Sequence, residues 1–261
     1  MFIPRIIPVL LLKNKGLVKT IKFKKTTYIG DPLNAVKIFN DLRANELVFL
    51  DITATKEKRA ISTELVKKIA DEAYMPFAVG GGISSIEQIK NLISNGAEKV
   101  VINTSLYSNP ELIKNAVSTF GSQSIIGSID VKKNFWDKYR IYIMDGKRKI
   151  NVDLAEYVKY VQDLGVGEIL INSIDADGTM KGYDNELVSL VTNLVNIPVI
   201  ACGGAGMLED IVNVIEDSGA HASAAGSLFV FHSTTKGVLI NYPSSEEIIN
   251  LFKTNFKNKN D

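Results

Sequence analysis

The sequence predicts an α/β fold, a (β/α)₈ barrel in which eight parallel strands alternate with eight helices. Three observations carry that prediction. Short β-rich apolar runs alternate with amphipathic helical stretches from end to end, eight such units fit a length of 261 residues, and no glycine fingerprint of a doubly wound nucleotide fold follows the first strand. At 46% hydrophobic and 23% charged residues the chain can bury a full core. One barrel domain over residues 1–261 is expected, with an inserted hairpin near 132–150.

The strands fall at 6–12, 47–52, 77–79, 99–103, 125–130, 168–172, 199–201 and 222–225. The helices fall at 32–43, 62–70, 85–94, 110–119, 153–164, 185–195, 208–216 and 245–252. They rest on apolar spacing such as Ile86, Ile89, Leu92 and Ile93, with Ser84 or Ser85 as the N-cap. In 132–150, Tyr139, Ile141 and Ile143 alternate with Arg140, Tyr142 and Met144 ahead of an Asp145-Gly146 turn, which predicts a hairpin after the fifth strand. The loop 13–28 after the first strand is similarly long. Both belong to the face formed by the strands' C-terminal ends, where active sites of this fold are built.

Composition excludes several functions. A net charge of +1, with both signs mixed along the chain, gives no field for nucleic acid or an anionic membrane, so an anionic ligand must be met locally. The first apolar run is too short to span a bilayer and no cleavage pattern follows it, so a cytoplasmic protein is expected. Cys202 stands alone and the histidines are only His221 and His232, which predicts no disulfide and no metal site. No cofactor is expected.

The two halves of the chain repeat each other. Glu46-Leu47-Val48 answers Glu168-Ile169-Leu170, Glu64-Leu65-Val66 answers Glu186-Leu187-Val188, and Pro76 answers Pro198, at one constant offset. Gly81-Gly82 answers Gly203-Gly204, and Thr104-Ser105-Leu106 answers Gly226-Ser227-Leu228. A doubled half-barrel places two similar loop sets on opposite sides of one face. Glycine lets backbone N–H groups approach an anion, hydroxyls add donors and helix N-termini favour negative charge. Glycines after strands also serve tight βα turns. The pairing of four such loops favours anion sites, and two sites imply a ligand with a phosphate at each end. The strands that open each half align "IIPVLLLKN" (6–14) with "IIGSIDVKK" (125–133), which sets Leu11 opposite Asp130. A carboxylate from each half would make a general acid and a general base, but here only one half has it.

The stretches "RIIPVLLLK", "LVFLDITA" (47–54), "VGGGI" (79–83), "INTS" (102–105), "FGSQSIIGSID" (120–130), "GEILINSIDADGT" (167–179), "IACGGAG" (200–206) and "AAGSLF" (224–229) span nearly the whole chain. In them the sequence resembles the cyclase subunit of imidazole glycerol phosphate synthase. The resemblance implies a barrel that accepts ammonia from a separate glutaminase subunit as a heterodimer. Ammonia would cross the barrel and attack a phosphoribulosyl-formimino aminoimidazole carboxamide ribotide. The products would be imidazole glycerol phosphate and an aminoimidazole carboxamide ribotide. Matching the family motifs puts phosphate contacts at Gly82, Asn103, Thr104, Asp177, Gly178, Gly204, Ala225 and Gly226, with Ser227 nearby. The family's ammonia entrance, a charged ring at the strand N-termini, is matched by Arg5, Glu46, Lys99 and Glu168. Without the family, these four read as ion pairs closing the barrel floor. Cys202 reads as a small buried residue rather than a nucleophile, so an ammonia-using function needs the partner.

The chain departs from the family at Leu11, where the resemblance implies a catalytic aspartate working with the one at Asp130. Leucine cannot exchange a proton, and loss of a positioned general acid–base costs roughly 10²–10⁴-fold in rate. Lys19 keeps its family place but sits in a loop expected to be flexible. Asp51 and Asp177 remain on other strands, and Asp51 reads equally well as a ligand of backbone groups. The stretches "VLLLKNKGLVKTIKFK" (9–24), "AAGSLFVFH" (224–232) and "VLINYP" (238–243) resemble a cyclase-like group associated with surface-polysaccharide synthesis. That likeness implies ammonia delivery to a sugar amidotransferase that converts an acetamido to an acetamidino group. The alternatives are an authentic cyclase of histidine biosynthesis and the sister phosphoribosyl isomerase, which also uses two aspartates and leaves the charged ring unexplained.

Overall fold

The computed structural model describes residues 4–232 and 237–258. Eight parallel strands form the barrel: β1 Arg5–Lys13, β2 Leu47–Asp51, β3 Phe77–Gly80, β4 Lys99–Ile102, β5 Ile125–Lys133, β6 Glu168–Ser173, β7 Val199–Cys202 and β8 Ala222–Ala225. Each pairs with the next, and β8 pairs with β1, so the sheet closes. The helices are α1 Pro32–Asp41, α2 Thr63–Glu72, α3 Ile86–Ser94, α4 Pro110–Phe120, α5 Leu154–Asp163, α6 Asn185–Thr192, α7 Leu208–Glu216 and α8 Ser245–Asn258. The predicted (β/α)₈ barrel is present.

Helix starts follow from local chemistry. Asp31, Ser62, Ser85, Asn109, Asp153 and Asp184 each accept a hydrogen bond from a first-turn N–H of α1 to α6. Of the two candidate serines, Ser85 caps α3, and Gln88 returns the bond to close a capping box.

Strand parity divides the interior into two apolar layers. Ile6, Leu10, Leu47, Phe49, Phe77, Val79, Ile129, Ile169 and Ile171 point outward and pack beneath the helices. Ile7, Val9, Val48, Ala78, Val101, Ile126, Leu170, Ile200, Ala222 and Ala224 point inward and fill the bore. The C-terminal segment is fastened to β1 by Tyr242. Its hydroxyl lies 2.9 Å from the Ile6 carbonyl and 2.7 Å from Asn45 Oδ1, the acceptors available to its one proton, and its ring packs on Phe39 and Phe229.

The two long loops are more ordered than the sequence suggests. The first is a β-hairpin, Gly16–Ile21 against Lys25–Gly30, extending from β1. The second is a three-stranded meander. β5 runs on to Lys133, turns through 134–138 into Tyr139–Ile143, and turns again at 144–147 into Arg148–Lys149. The Asp145-Gly146 turn is therefore the second of two.

The internal repeat is visible in the registers. Leu11 pairs with Leu50 and Leu50 with Gly80, while Asp130 pairs with Asn172 and Asn172 with Cys202. The constant sequence offset slips by one residue at β8. Inward Val101 is matched by inward Ala224, so Asn103 corresponds to Gly226 and Thr104 to Ser227. The backbone agrees, with φ/ψ of −118/−76° at Asn103 and −106/−66° at Gly226.

Replacing Tyr242 by phenylalanine keeps the ring and removes the hydroxyl's hydrogen bonding. Urea unfolding is expected to show a loss of about 1–2 kcal/mol.

Candidate functional site

At the C-terminal face the loops enclose a cavity of about 620 Å³. Its centre is Asp130, 8% exposed, near the upper end of β5. Asn172 Nδ2 on β6 donates to Asp130 Oδ1 at 3.1 Å, and Asn103 Nδ2 donates to Oδ2 at 3.2 Å while also reaching the Ser128 carbonyl at 3.0 Å. Burial pushes the Asp130 carboxyl up to about 7 against the Asn172 bond, with Asp145 and Asp177 adding repulsion. A group poised there can give or take a proton near neutral pH.

Across the mouth, the position equivalent to Asp130 holds Leu11, whose register partner is Leu50. Both are half-buried, pack on the bore residues and face the cavity. One side of the cavity floor is thus polar and titratable, and the other is apolar.

Lys19 is not in an exposed loop. It lies on the first hairpin, 4% exposed, with its ammonium donating to the Val9 carbonyl. Burial lowers it to about 8, opposed by the charge of Asp177. Asp177 clamps the hairpin. Its Oδ2 accepts from Thr20 Oγ1 at 2.7 Å and from the Phe23 N–H at 3.3 Å, and its carbonyl accepts from the Lys22 N–H at 3.0 Å. Gly178 (φ +66°) passes directly beneath the Thr20 carbonyl, where no side chain fits.

The paired loops flank the mouth. On one side Gly82 (φ +65°) passes against the Arg59 carbonyl, and Asn103 leads into the short helix Thr104–Ser108. On the other Gly204 passes against Gly182, and Gly226 leads into the turn Ser227–Phe229 beside the Lys19 ammonium. Gly82, Asn103, Thr104, Asp177, Gly178, Gly204, Gly226 and Ser227 all line the cavity. Ala225 does not, because it alternates with inward Ala224 and packs toward the helices. Thr104 Oγ1 already accepts from the Met144 N–H at 3.1 Å, so the meander covers that side.

Two other sequence candidates have structural work. Asp51 Oδ1 accepts from Thr53 N, Thr53 Oγ1 and Ala54 N at 2.9–3.2 Å, and Oδ2 takes the Arg59 guanidinium at 2.6 Å. Burial pushes the Cys202 thiol up to about 12, which leaves no thiolate for nucleophilic attack. Asn172 was missed by the sequence reading. Its signal was parity, since it follows inward Glu168 and Leu170 at steps of two.

At the opposite end of the bore, Arg5, Glu46, Lys99 and Glu168 form a ring of alternating sign. Arg5 reaches Glu46 at 2.8 Å and Glu168 at 2.6 Å, and Lys99 reaches Glu168 at 2.6 Å and Glu46 at 3.8 Å. Burial pushes Glu168 up, but hydrogen bonds from Arg5 and Lys99 outweigh it and hold the carboxyl below its ordinary value. Burial prevails at Glu46 over the attraction of Lys99 and Arg5, and its carboxyl is raised. Between ring and mouth the inward side chains at the level of Ile7 are apolar, and Ser128, in step with inward Ile126 and Asp130, is a polar one at the level of Val9. Such a lining disfavours an ion.

Two outcomes follow from these environments. Glu168→Gln removes the carboxylate that engages both cations closely, and should cost roughly 1–3 kcal/mol in denaturant unfolding, more than Glu46→Gln. Asp130 binds its proton more tightly folded than unfolded, so its contribution to stability is greatest below about pH 4. It declines as pH rises to about 7, by roughly 4 kcal/mol at most. Subtracting the stability–pH curve of Asp130→Asn from that of the natural chain should reveal that decline.

A family model described as "Histidine biosynthesis protein" matches residues 5–235. A Pseudomonas aeruginosa protein provisionally designated imidazole glycerol phosphate synthase subunit hisF2 is 45% identical over 244 residues, covering 94% of this chain and 97% of its own. A Vibrio vulnificus protein provisionally designated subunit hisF3 is 47% identical, over 93% and 94%. The imidazole glycerol phosphate synthase subunit HisF of Streptococcus mutans is 40% identical, over 86% and 90%. With a barrel closed by the β5–β6 pairing, a carboxyl on β5 at its mouth and this extent of similarity, the chain belongs to the histidine biosynthesis protein family.

Proposed function

We propose that this chain is the barrel subunit of a glutamine-dependent complex that moves ammonia rather than closing an imidazole ring. A glutaminase partner docks on the floor, and ammonia enters through Arg5, Glu46, Lys99 and Glu168. It crosses the apolar bore as the neutral molecule and emerges beside Asp130. The acceptor is an amidotransferase that converts an acetamido sugar to its acetamidino form for a surface glycan. The two anion cradles, around Gly82, Asn103 and Thr104 and around Gly178, Gly204, Gly226 and Ser227, hold a phosphorylated ligand at the mouth.

The observation that carries this reading is Leu11. Ring closure needs a proton taken on one side of the bound substrate and delivered on the other, and the barrel's two-fold arrangement offers Asp130 for one task and a leucine for the other. The numbered designations of the Pseudomonas and Vibrio relatives, hisF2 and hisF3, are consistent with additional copies of the subunit.

A second reading keeps the cyclase of histidine biosynthesis. It is favoured by Lys19, which is held inside the mouth with an ammonium lowered to about 8, within reach of proton exchange at neutral pH. In that case Lys19 takes the part of the missing carboxylate.

Turnover of the phosphoribulosyl ribotide by the purified barrel, with ammonium salt in place of the partner, separates the two. The natural chain should be inert, and Leu11→Asp should gain about 10²-fold or more. Turnover at an ordinary cyclase rate that collapses in Lys19→Met would sink the delivery reading and establish the second.

A further inference from the structure

The meander above the barrel mouth carries a groove that the ammonia chemistry does not use. β5 continues past Asp130 and pairs antiparallel with 139–143, setting Tyr142 opposite Asp130 and Arg140 opposite Lys132. Directly opposed residues share a face. Tyr142, Lys132 and Arg140 therefore stand on the Asp130 side, while Val131, Ile141 and Ile143 are buried on the other.

Two cations directly opposite each other repel. The ion pairs of this segment go elsewhere, from Lys133 to Glu186 and from Lys147 to Asp145, and Lys132 and Arg140 have none among the described residues. Next to them Asn134, Trp136, Lys138 and Arg140 line a groove of about 310 Å³. The turn that presents Trp136 is fixed. Asn134 Oδ1 accepts from the N–H groups of Trp136 and Lys138 at 3.0 and 2.9 Å, and the Asn134 N–H donates to the Lys138 carbonyl at 2.9 Å. The indole is 74% exposed and rests edge-on against Phe135, with ring centroids 5.9 Å apart.

An open indole held beside uncompensated cations suits a flat ring that carries negative charge. The ring stacks on the indole, and the guanidinium and ammonium groups take the anion through charge-assisted hydrogen bonds. The volume is at the small end for ligand sites, enough for one nucleotide.

We propose that this groove binds a nucleoside diphosphate, with its base on Trp136 and its phosphates on Arg140 and Lys138. The site is independent of the anion cradles and of the ammonia path, so it stands or falls separately from them.

Trp136 is the chain's only tryptophan, so intrinsic fluorescence reads the groove directly. Uridine diphosphate, uridine and inorganic pyrophosphate would be titrated in parallel, with free N-acetyltryptophanamide as the reference for collisional quenching. The expected result is saturable quenching by uridine diphosphate and much weaker effects of uridine and of pyrophosphate. Arg140→Ala and the exposed Lys138→Ala should each raise the dissociation constant roughly tenfold with circular dichroism unchanged. Quenching that is linear and equal to that of the free indole overturns the proposal. Pyrophosphate binding as tightly as uridine diphosphate, or indifference to both substitutions, overturns it as well.

Discussion

The ring of Arg5, Glu46, Lys99 and Glu168 is where charge enters an interior whose next layer is apolar, and the rest of the barrel depends on its balance. Two cations and two carboxylates leave no net charge at the floor. An uncompensated ion at that depth would cost several kcal/mol. Because the pairs satisfy one another, the layer above can consist of Ile7, Val48, Ala78, Val101, Ile126, Leu170, Ile200 and Ala222 without any polar group to neutralise. Small side chains in that layer, Ala78 and Ala222, sit among the larger ones.

The same logic makes the upper end asymmetric. Asp130 is tolerated because Asn172 and Asn103 each give it a hydrogen bond, yet burial still raises its carboxyl to about 7. A second carboxylate at position 11 would face the same desolvation and repel the first. Leucine removes that penalty and packs on Leu50 and the bore. Its contribution is packing, because leucine has no proton to exchange. The two-fold scaffold itself is unaffected, since the registers around Leu11 and Asp130 are equivalent.

Much of this was legible because parity and capping are local. The apolar spacing of Ile86, Ile89, Leu92 and Ile93, with a serine just ahead of it, needs no tertiary knowledge. The first hairpin was not legible. Its turn residues Lys22 and Phe23 both have positive φ, 53° and 58°, where asparagine and glycine are normally found. The turn is held from outside, by Asp177 accepting from both backbone N–H groups. A brace supplied from residue 177 leaves no trace between residues 13 and 28. Ala225 and the one-residue slip at β8 failed for a related reason. Sequence offset is a one-dimensional measure, and only the inward pairing of Val101 with Ala224 fixes which neighbour faces the cavity.

The brace has a consequence for the mouth. Gly178 lies under the Thr20 carbonyl and Gly226 lies against the Lys19 ammonium, so one anion cradle and the hairpin share atoms. An anion entering that cradle meets Lys19 at close range. It is attracted by an ammonium that burial has weakened and the Val9 carbonyl already engages. On the proposed reading, pairing with an anion would restore the favourable environment that the lysine lost on burial, and occupancy of the cradle and the position of the hairpin would bias each other. The cradle on the Gly82 side has no such partner from the first hairpin and is covered instead by the meander through Met144 and Thr104. Two loops that began as sequence equivalents thus lie under different lids, one charged and one made of backbone.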